Sequence, residues 1–300
     1  MKTNQKLIKK LSLLLIVILA VSFSCSDEKI NLEQDVALVT DDAIADYYYE
    51  DTDDLAGLVL LADEGANTGG GAASSRTITI QDPRFMCSGV VITLVMDPQS
   101  SPDVPKGEVT IDFGQGCTDL QGNVRNGIIK VQFVGKRFVN GSRVTTQFVN
   151  YSINDIQLEG TRVLTNISGS TPEVPKFRIE LTNGSARWPD GTSAQREHCY
   201  VRTWIRATNP LNDSMVVEQC ENKDVAATGI NRQGREYSMA IIEPIIYKRG
   251  CQLAVKGIKK FTDLKTGKVV QVNYGDGECD RIITLNVDGN SRPVVVSKKN

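Results

Sequence analysis

The sequence predicts an all-β fold, either an antiparallel sandwich or an extended β-meander of hairpins, and three observations carry that expectation. β-branched and aromatic runs recur along most of the chain, turn signals separate them, and no sustained helical period appears beyond residue 75. The runs lie at 90–96, 127–134, 144–151, 177–181, 201–206, 237–242 and 282–287. Turns are signalled by Asn140-Gly141, Asn183-Gly184, Pro189-Asp190-Gly191, Gln233-Gly234, Thr266-Gly267 and Asp288-Gly289. Asn-Gly and Asp-Gly supply the positive φ that two-residue hairpins require. Phe177-Arg178-Ile179-Glu180-Leu181 alternates apolar and charged residues, the pattern of a half-buried antiparallel strand. Residues 76–300 are long enough for one sizeable core.

Ahead of that domain, residues 1–24 read as a lipoprotein signal peptide. Lys2, Lys6, Lys9 and Lys10 precede an apolar run over 11–23. That run is shorter than the roughly 20 residues a spanning helix needs, and it fits the h-region of an exported precursor. Small Ser22 and Ser24 then precede Cys25. The site resembles the lipobox of bacterial lipoproteins, in which cleavage before a cysteine is followed by its lipidation with palmitate and related chains. Its loose form, with Val21 and Ser22 where Leu is usual, is similar to lipoproteins of the Bacteroidota. The resemblance implies a lipid on Cys25 and an export signal in Ser26, Asp27 and Glu28. It places the protein on the outer membrane at the cell surface, with a periplasm-facing anchor as the alternative.

Charge divides the rest of the chain. Residues 26–64 carry a net charge of −12, whereas residues 65–300 carry +6. Residues 25–75 therefore read as the lipidated cysteine, a short acidic tether and a flexible linker ending in Gly69-Gly70-Gly71-Ala72-Ala73-Ser74-Ser75. The tether is partly helical by pattern, with Ile44, Tyr48, Leu55, Val59 and Ala62 near three- and four-residue spacing. A solvated spacer is the expected role. The run from Glu50 to Asp54 is acidic enough for calcium, but Leu55 and Ala56 fall where an EF-hand loop needs a ligand and a glycine.

Beyond Cys25 there are six cysteines, an even set that suggests disulfides in an exported chain. Two similar blocks choose among the pairings. Val109-Thr110-Ile111-Asp112-Phe113-Gly114-Gln115-Gly116 precedes Cys117, and Val270-Gln271-Val272-Asn273-Tyr274-Gly275-Asp276-Gly277 comes just before Cys279. Each block follows an earlier cysteine by a similar distance. The expected bridges are Cys87–Cys117 and Cys251–Cys279, with Cys199–Cys220 as the remainder. The lack of a Cys-x-x-Cys pair, with His198 as the sole histidine, argues against zinc and for no metal. The Gly-x-Gly pairs lack the third glycine and following helix of a dinucleotide loop, so bulges or tight turns explain them better.

The order of Val109–Gly114, Gly160-Thr161-Arg162, Asn183-Gly184, Pro189-Asp190-Gly191 and Tyr274-Gly275-Asp276-Gly277-Glu278-Cys279-Asp280 resembles a family of uncharacterised Bacteroidota outer-membrane lipoproteins. The resemblance spans most of residues 85–290 and implies an exported β-rich domain, without an assigned chemistry. Asp213-Ser214-Met215 resembles the short O-glycosylation acceptor of that phylum.

Catalysis finds little footing. Any triad must use His198, which reads as a surface histidine beside a bridge, and no Gly-x-Ser-x-Gly elbow exists. A carboxylate pair for glycoside cleavage has no distinguished members among Glu159, Glu180, Glu197 and Glu243. No motif calls for a cofactor. The +6 of the domain is spread without a basic run, which argues against nucleic acid. The expected role is therefore non-enzymatic: binding or structure in the envelope, with the membrane met through the anchor and another envelope protein or a glycan as partner. For a glycan, Trp188 beside a predicted hairpin tip is the candidate contact, whereas Trp204 is expected in the core.

Overall fold

The computed structural model describes residues 32–63 and 75–296, apart from 121, 168, 210–212, 250 and 252. The signal region, Cys25 and Ser26, Asp27 and Glu28 lie outside the described residues. The described residues open with helix α1 (Leu32–Ala62). The remainder is strand in almost unbroken succession: β1 (Ser75–Thr77), β2 (Val91–Met96), β3 (Lys106–Asp112), β4 (Cys117–Thr118), β5 (Val124–Val134), β6 (Arg143–Ile153), β7 (Ile156–Asn166), β8 (Lys176–Arg187), β9 (Ser193–Ile205), β10 (Ser214–Gln219), β11 (Ala227–Ile230), β12 (Glu236–Lys248), β13 (Lys256–Asp263), β14 (Val269–Asp276), β15 (Ile282–Val287) and β16 (Asn290–Val295).

Of the two all-β architectures expected, the meander is the one adopted. All 16 strands join one antiparallel sheet, in sequence order except where β4 pairs only with β5 and where β10 and β11 share the space between β9 and β12. Cys220, just after β10, is bridged to Cys199 of β9 at that junction. The other bridges are Cys87–Cys117 and Cys251–Cys279, so the three disulfides join the pairs inferred from the internal similarity.

Two rows of bulges bend this long sheet. Register shifts fall between Asn126 and Ile128, Gln147 and Ser152, Glu159 and Thr161, and Leu181 and Gly184, one strand after the next. A second row crosses β12 and β13 near Glu243 and Gly257. Each bulge adds a residue to one strand and increases local twist, the standard way to curve a sheet. Glycine is required here: at Gly127, with φ +76°, a Cβ would lie 2.2 Å from the Asn150 carbonyl oxygen. Asn183-Gly184, expected as a hairpin turn, lies inside β8 at one of these bulges, with Asn183 at φ 51°. Positive φ was legible in that dipeptide, but it serves a bulge.

The acidic segment is not a solvated spacer. From Val36 onward α1 belongs to the same folded unit as the sheet. Tyr49, Leu55, Ala56, Val59 and Leu60 are buried with Leu94, Ile111, Phe113, Ile129, Tyr151 and Leu158 of the sheet. Leu38 and Val39 join a second apolar cluster with Ile179, Tyr200, Met239, Phe261 and Val272. At the bulge between β7 and β8, Tyr49 Oη donates to the Glu159 carbonyl at 2.7 Å and lies 3.1 Å from that of Ser185. The boundary expected near residue 76 therefore separates a helix from the sheet it packs on, and not a tether from a domain.

Candidate functional site

The sheet face under α1 breaks the usual alternation of apolar inside and polar outside. Along β9 the inward residues are Arg196, His198, Tyr200 and Arg202, all buried. Arg125 on β5, Arg162 on β7 and Lys259 on β13 are buried with them. Uncompensated, such charges cost several kcal/mol each to desolvate. The acidic stripe of α1 compensates them. Asp42, Asp46, Glu50 and Asp53 follow one another at helical spacing. Arg196 lies 3.1 Å from Asp42 and 2.8 Å from Asp46, and Lys259 lies 3.3 Å from Asp46. Arg162 donates from Nε and Nη2 to Asp53 at 2.8 Å and from Nη2 to Glu50 at 3.2 Å. Arg202 pairs with Glu50 and lies 3.5 Å from Asp53. On the flanks Asp51 meets Arg125 at 2.9 Å and Asp41 meets Arg232 at 3.1 Å. Of the acidic run from Glu50 to Asp54, Glu50, Asp51 and Asp53 are thus taken by arginines, and the described residues contain no cluster suited to a metal ion.

Burial pushes the Asp42 carboxyl above the usual range, whereas in the half-buried Asp46 Arg196 and Lys259 outweigh desolvation and hold the carboxyl below it. His198 is the correction of most consequence here: it is not on the surface but buried among these cations, stacked on Tyr200 with ring centroids 4.3 Å apart. Burial, reinforced by Arg196, Arg162, Lys259 and Arg202, holds its imidazole well below the ordinary 6.5. Arg162 Nη1 lies 3.1 Å from Nε2, so Nε2 accepts and the proton sits on Nδ1. Below about pH 6.5 the unfolded chain binds a proton at this histidine and the native state does not, so stability falls by up to roughly 1.4 kcal/mol per pH unit. Urea melts at pH 7.5 and 5.5 should show the wild type losing about 1 kcal/mol more than His198→Gln; equal losses would contradict a neutral buried imidazole.

The two tryptophans exchange their expected places. Trp188 is only 8% exposed and lies within the apolar cluster beneath α1, with the Arg232 guanidinium 4.4 Å from its ring centroid. It does not present a face to a glycan. Trp204, expected in the core, is half-buried and lines a cavity of about 620 Å³ between the C-terminal half of α1 and the sheet. Ligand sites typically span roughly 300–1,000 Å³. Leu58 and Leu61 of α1, Phe138, Phe177, Trp204 and Ile205 supply apolar walls. Trp204 Nε1 donates to Met215 Sδ at 3.1 Å, so the ring's one donor is satisfied within the protein. Leu61 and Ile205 stay 54% and 46% exposed, which leaves the cavity open to solvent on an apolar rim.

Two cations of this cavity stand apart. Arg137 donates from Nη1 to the Gly57 carbonyl at 3.1 Å, and its guanidinium lies 4.8 Å from the centroid of the Phe138 ring. Arg206 lies 5.4 Å from the same centroid. Burial and the proximity of Arg206 hold Arg137 down to about 10. No protein-family model, curated protein or solved structure matches this chain, so the site is read from its own chemistry. Among the other residues singled out in the sequence, Glu159, Glu180, Glu197 and Glu243 do not line the cavity. Ser214 does, as the first residue of β10, paired with Ile205 and Lys248. The cavity itself left no mark in the sequence, because its walls come from helix and strands far apart in the chain.

Proposed function

We propose that this chain is a lipid-anchored envelope protein with a non-enzymatic binding role, and that it takes its ligand in the cavity beside the C-terminal half of α1. The observation that carries the binding role is the lining: mainly apolar and aromatic walls interspersed with seven basic and three acidic side chains, a concave site of ligand size. The anchor is carried by Cys25 and the residues around it, and by their resemblance to Bacteroidota lipoproteins. The cavity directs the search toward a small ligand, ahead of an envelope protein or a polysaccharide chain.

The neutral fluorophore N-phenyl-1-naphthylamine tests the cavity. It should bind the wild type with enhanced emission, and Leu61→Trp, at a solvent-exposed lining position, should weaken it at least fivefold without changing the melting temperature. Equal binding by the variant would place the probe elsewhere and remove the reading. In the same cells, palmitate incorporation that is lost in Cys25→Ala tests the anchor; persistence of label in the variant would refute it.

A further inference from the structure

We infer that the cavity takes a single long acyl chain carrying an anionic head group, with the head held between the Arg137 and Arg206 guanidinium groups. The inference rests on the cavity being the binding site and specifies what enters it. Arg137 and Arg206 differ from six other arginines near the helix. Arg84, Arg125, Arg162, Arg196, Arg202 and Arg232 each meet a carboxylate of α1. Arg137 touches the same helix but finds a backbone carbonyl, and among the described residues no ion pair joins it or Arg206 to a carboxylate. Arg137 is half-buried and Arg206 exposed, and the two like charges face one aromatic ring.

That ring belongs to a strained residue. Phe138 has φ 63°, in the left-handed region that bulky side chains avoid. Such conformations persist where the surroundings over-determine them, and they concentrate at ligand sites. Here the strained backbone sets the Phe138 ring against both guanidinium groups and against Phe177, whose centroid lies 6.3 Å away. An anion bridging Arg137 and Arg206 would relieve their mutual repulsion with charge-assisted hydrogen bonds.

The remaining walls decide what the anion is attached to. Apolar side chains, among them Leu58, Leu61, Phe177, Trp204 and Ile205, supply the larger part of the wall and cover an alkyl chain, with polar groups such as Asp54, Asn166 and Asp213 interspersed. The exposed Leu61 and Ile205 offer an apolar stretch of a rim that also carries the exposed Asp54, Arg143, Arg206, Lys248 and Arg249.

The test uses the full chain with Cys25→Ala, so that no lipid of its own competes. Titration calorimetry below micellar concentrations compares oleate, oleyl alcohol and butyrate on this protein and on the same protein carrying Arg137→Gln and Arg206→Gln. The expected result is one oleate per chain, with oleyl alcohol and butyrate at least tenfold weaker. The double variant should reduce oleate to the affinity of oleyl alcohol, leave oleyl alcohol unchanged and melt at the wild-type temperature. Equal affinity for oleate and oleyl alcohol, or an oleate affinity that survives the double variant, overturns the head-group assignment. Butyrate binding as tightly as oleate overturns the acyl chain. Failure of oleate where N-phenyl-1-naphthylamine still binds at the cavity overturns this inference alone, and failure of both removes the cavity reading with it.

Discussion

Leu55→Ala should destabilise the protein by about 2–5 kcal/mol, the cost of deleting a fully buried leucine. Leu55 sits in the most acidic stretch of the chain, where composition alone would make any substitution nearly silent. A spacer residue in solvent changes stability by no more than roughly 0.5 kcal/mol. In the structure Leu55 is 0% exposed and belongs to the cluster formed with β2, β3, β5, β6 and β7. The size of the loss therefore reports whether α1 is a structural part of the domain. Leu61→Ala, six residues on and 54% exposed, serves as the comparison and should cost well under 1 kcal/mol. Urea denaturation of the two variants separates the cases. Similar, small losses would mean that α1 does not pack on the sheet in solution.

Arg162→Met should cost about 3–5 kcal/mol, because it breaks a buried ion cluster from one side. Arg162 is wholly buried, and it alone joins Asp53, Glu50 and His198. Its loss leaves Asp53 with Arg202 at 3.5 Å as its remaining cation and deprives His198 Nε2 of its donor. The energetic weight lies in the stranded carboxylate more than in the lost bond, and a second variant separates the two. Adding Asp53→Leu removes the orphaned charge as well, and buried ion pairs replaced by apolar residues are often neutral in stability. The double variant should recover at least half of the loss, with the interaction energy read from the cycle. A loss within 1 kcal/mol of wild type for Arg162→Met alone would show that solvent reaches the cluster.

Both predictions concern the docking of the segment that sequence reading placed wrongly, and the reason is physical. A run of net −12 has no partner within its own neighbourhood, so local composition makes it solvated. Its partners, Arg125, Arg162, Arg196, Arg202 and Lys259, are scattered over more than 130 residues. Only strand pairing gathers them on one face. A trace was present: Arg196, His198, Tyr200 and Arg202 occupy alternate positions of one strand, which puts a polar set on a single face. Read with the helical spacing of Ile44, Tyr48, Leu55 and Val59, that face could have been matched to the acidic stripe. The tryptophans failed for a related reason. Trp188 does lie beside its hairpin turn, but Arg232 from the β11–β12 turn and the apolar cluster close over it.

What the sequence by itself determined is the local and the covalent: a β-branched, turn-punctuated chain that forms hairpins, and three disulfides whose pairing follows from an internal similarity. These depend on nearest neighbours in the chain and on turn chemistry, which composition and spacing encode directly. The tertiary structure alone decided that the hairpins run on as one bent sheet, that α1 docks on it through opposed charges, and that Arg137 and Arg206 lie beside a mainly apolar cavity. Those features depend on which distant side chains share a face once the bulges have set the curvature, and charge complementarity across such distances has no local signature.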